Sequence, residues 1–93
     1  MNRQLFESII KSIDGITAQK NVFTISDNHS LTIYVGDPGK SLIIAQIQSC
    51  SLKDDFVIVS LREPKRTFYL PYDKVYALSH ASENTSEQRA GFA

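Results

Sequence analysis

The sequence predicts a mainly β domain with one N-terminal α-helix, curled into a small, bent antiparallel barrel of five or six strands. Three observations lead there. Apolar residues recur at helical spacing near the N-terminus. From residue 22 onward, short β-branched and aromatic runs alternate with Gly, Pro, Asn and Asp turns. Within them the run at 56–61, Phe-Val-Ile-Val-Ser-Leu, is apolar at successive positions, as expected of a central strand covered on both faces.

At 93 residues the chain fits one domain, expected to span 1–79, with a polar, flexible tail at 80–93. A domain of this size buries only about 60% of its unfolded surface, so an oligomeric contact that completes the core suits it. Ten basic and ten acidic residues cancel, which argues against general phosphate binding, because nucleic-acid modules usually carry a basic excess. Cys50 is the single cysteine, so one chain forms no disulfide and no cysteine-based zinc site. The first residues lack the apolar run of a signal peptide, and no stretch approaches the roughly 20 apolar residues of a membrane span. The expectation is a cytoplasmic protein without membrane contact, cofactor or metal.

Leu5, Phe6, Ile9, Ile10 and Ile13 form one stripe, with Arg3, Glu7, Lys11 and Asp14 opposite. Asn2 suits the N-cap and Gly15 a left-handed C-terminal cap, which predicts a helix over 3–14 that packs against the sheet. Val-Phe-Thr-Ile at 22–25 and Leu-Thr-Ile-Tyr-Val at 31–35, separated by a polar turn, predict a first hairpin. Gly36-Asp37-Pro38-Gly39-Lys40-Ser41 resembles the back half of a phosphate-binding loop. Tyr34 occupies the place of its first glycine, and a β-branched run follows where a helix should open. A type II turn with Pro38 and Gly39 at its centre accounts for the segment instead.

Residues 42–52 predict one long strand bent by a bulge, the device by which a small sheet curls on itself. After the strand at 56–61 the charged turn Arg62-Glu63-Pro64-Lys65-Arg66 leads to a strand at 67–70. Pro71 lacks a ladder donor and must end that strand or lie at an edge. A single tight turn at 72–74 and a short closing strand at 75–78 complete the domain.

This order of strand, long bent strand, central strand, strand, one-turn break and short strand resembles the SH3-like and Sm-like small β-barrels. The nearest resemblance is to the Hfq family of bacterial Sm-like proteins, which add an N-terminal helix and a polar tail. It covers about residues 31–79, with 16–30 as an addition. The resemblance implies a five-stranded barrel that forms rings by pairing its last two strands. It does not carry RNA binding with it. The family reads RNA with a Tyr-Lys-His run between those strands, where this chain has Tyr69-Leu70-Pro71-Tyr72.

Arg62, Lys65 and Arg66 with Tyr69, Tyr72, Lys74 and Tyr76 form the one basic-aromatic cluster. Bases could stack on its tyrosines while its cations hold phosphates. The plainer reading is a solvated turn, partly neutralised by Glu63 and Asp73, beside half-buried strand tyrosines. His29 and His80 have no further ligand at metal-site spacing and read as surface histidines. Asp54, Asp55 and Asp73 read as turn residues, a carboxylate pair only if folding unites them. Ser49-Cys50-Ser51 lacks a histidine partner placed by sequence. The expected function is therefore non-enzymatic: an interaction or assembly module that binds a protein partner or itself through strand edges and the 62–66 turn. The alternative is Sm-like binding of RNA or single-stranded nucleic acid by the basic-aromatic rim.

Overall fold

The computed structural model describes residues 1–37 and 39–82. Pro38, and with it the centre of the expected type II turn, lies outside the described residues, as do 83–93 of the expected tail. The N-terminal stripe folds as α1 (Arg3–Lys11). Asn2 caps it, its Oδ1 accepting the Leu5 backbone N–H at 2.8 Å. Phe6 and Ile10 are fully buried, and Glu7 on the opposite face pairs with Arg3 at 3.0 Å and Lys11 at 2.7 Å. The hydrogen bond from Lys11, aided by the nearby Arg3 charge, holds the Glu7 carboxyl below its ordinary range. The helix stops short of residue 14. The Ser12 N–H and hydroxyl both turn onto the Ile9 carbonyl, and the Ile13 N–H onto that of Ile10, tightening the last turn.

Eight strands follow in two antiparallel sheets: β1 (Ile16–Gln19), β2 (Val22–Ile25), β3 (His29–Asp37), β4 (Lys40–Ile44), β5 (Ile47–Leu52), β6 (Phe56–Leu61), β7 (Thr67–Pro71) and β8 (Val75–Ser82). One sheet runs β1-β2-β5-β6-β7 and the other β4-β3-β8. Their inward faces and α1 share one core, which includes Phe23, Leu31, Ile33, Ile47, Val57 and Val59.

The expected hairpin between 22–25 and 31–35 does not form. β2 pairs with β1 and β5, while β3 pairs with β4 and β8. The polar segment between β2 and β3 is a corner between sheets. The Ser26 N–H bonds the Gly15 carbonyl at 2.8 Å, and Arg62 gathers the carbonyls of Ile25, Ser26 and His29. β1, not foreseen from the sequence, fills the edge of β2 through a tight turn with Lys20 at φ 59°.

The expected long strand at 42–52 is two strands in different sheets. β4 belongs to the three-stranded sheet and β5 to the five-stranded one, and the chain breaks between them at Gln46, which has φ 60°. Lys40 and Ser41 begin a strand rather than a helix, as the turn reading of 36–41 requires. The expectation of a doubly covered 56–61 also needs correction. Val57 and Val59 are fully buried, but on the other face Phe56 remains 37% exposed and Ile58 is only half-buried, because the helix joins the inward core. β7 is an edge strand that ends at Pro71, followed by one 3-10 turn at Tyr72–Lys74. β8 outruns the expected 75–78. His80 pairs opposite Leu31 and Ser82 opposite His29, so 80–82 belong to the sheet. No helix among the described residues is long and apolar enough to cross a membrane.

Candidate functional site

The seven residues of the basic-aromatic cluster separate on folding. Arg62, at the end of β6, is half-buried, and its Nη2 donates to Ser26 O at 2.7 Å, Ile25 O at 3.1 Å and His29 O at 3.2 Å. Its charge is spent on the corner between the sheets. Tyr72 is buried, its hydroxyl donates to Lys53 O at 2.6 Å, and its ring meets Phe6 edge-on at 5.6 Å. Burial raises the Tyr72 phenol, opposed by the nearby Arg3. Both residues are engaged within the fold, Arg62 by three carbonyls and Tyr72 by Lys53 and Phe6.

The others remain exposed but on different elements. Lys65 and Arg66 lie in the β6–β7 turn and Lys74 in the 3-10 turn. Tyr69, on the outer face of β7, is 66% exposed and pairs its ring with Phe56 at 6.4 Å. Tyr76, on β8, pairs with Tyr34 at 6.1 Å and donates its hydroxyl to Ser41 Oγ at 2.8 Å. The two exposed tyrosines thus belong to separate aromatic pairs on separate sheets.

What the fold does assemble is an apolar edge. β4 closes one side of the three-stranded sheet, and Leu42 and Ile43 on it are 51% and 59% exposed. Ile43 lies directly opposite Tyr34 on β3, so Ile43, Tyr34 and Tyr76 are neighbours on the outer face. Nothing in the sequence separates Leu42 and Ile43 from buried strand residues, since Ile44 beside them is 2% exposed. Only the pairing of β3, with β4 outside it, reveals the edge.

The remaining candidates resolve simply. Asp54, Asp55 and Asp73 do come to one groove, of about 490 Å³, together with Arg3 and Tyr72. Among the described residues no group of three or more His, Cys, Asp or Glu is placed to hold a metal ion. Cys50 is fully buried, and burial pushes its thiol up to about 12, which removes it as a nucleophile. His29 and His80, distant in sequence, make contact. No protein-family model, no curated protein and no solved structure matches this chain.

Proposed function

We propose that the chain is a non-enzymatic assembly module on an SH3-like or Sm-like frame, taking a second copy of itself, or a protein partner, along an exposed strand edge. The frame is supported by the path from β3 onward. The chain crosses between sheets at Gln46, passes through β5, β6 and β7, makes a single 3-10 turn, and returns along β3 as β8. That order of elements supports the small-barrel reading, with α1, β1 and β2 added in front, while the strands lie in two sheets of five and three rather than in a closed barrel.

The observation that carries the function is the β4 edge. Unpaired strand edges invite further strands, and proteins usually blunt them with charge, proline or bulges. β1 presents the polar Thr17 and Gln19 beside Ala18, β7 has Lys65 and Arg66 before it and Pro71 at its end, and the far end of β8 is polar. From Ser41 to Ile44, β4 carries no charge and no proline, and its two exposed side chains are Leu42 and Ile43. A strand added there would gain ladder hydrogen bonds and flank Leu42 on one face and Ile43 on the other. Light scattering on the purified chain tests this. The expected result is a mass above that of the monomer, or a partner carried through purification, and Ile43→Lys should abolish either while the circular dichroism spectrum stays unchanged. The nucleic-acid alternative would rest on Tyr69 with Lys65 and Arg66, since Arg62 and Tyr72 are already engaged. It requires oligonucleotide binding that weakens with salt and with Lys65→Ala and Arg66→Ala.

A further inference from the structure

We infer that His29 and His80 form an acid-sensitive latch that pins the outer end of β8 to β3. His29 opens β3, and His80 sits on β8 opposite Leu31, one diagonal step away. His29 Nδ1 and His80 Nε2 are 2.9 Å apart, the ring centroids 5.1 Å apart and the planes within 14°. The centroid distance is close to the N···N distance plus the two ring radii. The nitrogens therefore point at each other, in a head-on N–H···N bond rather than a face-to-face stack.

The surroundings hold His29 in that pose. A Cβ on Gly15 would clash with the His29 ring, so only glycine lets the ring lie there. The His29 N–H bonds Ser26 O at 3.0 Å, and its carbonyl accepts from Arg62.

Proton counting gives the latch its sensitivity. A neutral imidazole has one donor and one acceptor nitrogen, so the facing nitrogens share a single hydrogen. One added proton can enter at a nitrogen facing away, and the bond becomes charge-assisted. A second proton must enter between the rings. Both facing nitrogens then carry hydrogens, and two cations meet at bonding distance. The charged groups around the pair are Arg62 on the His29 carbonyl, Asp27 in the preceding corner and Asp14 beside Gly15. Among the described residues neither carboxylate forms an ion pair with either imidazole. Among the described residues the doubly protonated pair thus has no paired carboxylate, and Arg62 adds a further positive charge.

Mild acid should therefore open this end of the ladder. The Glu7 ion pairs on α1 are unaffected there. Their stabilisation is present above the ordinary glutamate range and is lost only as pH falls through the lowered Glu7 value.

Amide hydrogen exchange on the full chain, corrected for intrinsic rates at about pH 7.5 and about pH 5.5, tests the latch. Protection at 30–31 and 79–82 should fall a few-fold in acid while the β5–β6 ladder keeps its own. His80→Asn should remove that pH step, and nitrogen NMR of the wild-type imidazoles should show the N–H···N bond at the higher pH. Equal protection at both pH values, the same acid loss in His80→Asn, or imidazoles with no mutual hydrogen bond would each overturn the inference.

Discussion

Arg62 shows how a side chain that looks like a ligand-binding cation can be structural. Its three carbonyl acceptors come from Ile25, Ser26 and His29, far back along the chain, so nothing near Arg62 in sequence announces them. Charged-group hydrogen bonds of this kind are individually strong, and Arg62→Ala should cost about 2–3 kcal/mol in urea denaturation. Lys65→Ala and Arg66→Ala, at exposed turn positions, should each stay within about 0.5 kcal/mol. Equal effects from all three would mean that Arg62 does not anchor the corner. Cys50 gives a second check at this scale. Buried and with its thiol pushed up to about 12, it should resist a thiol reagent at neutral pH until the protein is unfolded. Labelling of the native protein at the rate of free cysteine would contradict its burial. Asn2, by contrast, was legible from sequence, because capping is decided by neighbours along the chain; Gly15 is left-handed as expected but lies beyond the C-cap, which is Ser12.

Among the elements, the ones with local causes were the readable ones. The α1 stripe, the Pro71 stop and the one-turn break at 72–74 each rest on residues within a few positions of each other. What the sequence obscured was pairing. β2 and β3 looked like a hairpin because both are β-rich and a polar turn lies between them, yet each finds its partners elsewhere. The run at 42–52 looked continuous because no Gly or Pro marks Gln46, the residue at φ 60° where the chain changes sheets. A non-glycine residue there costs about 1–2 kcal/mol, and a β-branched one is a true outlier. Gln46→Val should therefore lower the melting temperature, whereas Gln46→Gly should hold or raise it. If valine is tolerated as well as glycine, the sharp crossing between β4 and β5 is not as described.

At the scale of the molecule, the basic-aromatic residues expected from sequence are spread over several elements. Tyr72 is buried, Arg62 is half-buried against three carbonyls, and the exposed tyrosines divide between the sheets. The feature that replaces it was invisible in the chain, since Leu42 and Ile43 become an edge only through the order β4-β3-β8. A small domain with a marginal core of its own gains from covering such an edge. Whether β4 is the assembly surface is read from the solution mass, with any associated protein, of the wild type beside Ile43→Lys. The wild type should be oligomeric or carry a partner, and Ile43→Lys should be a folded, solitary monomer. A wild type that is itself a solitary monomer, or an Ile43→Lys variant that assembles unchanged, would contradict that role for β4.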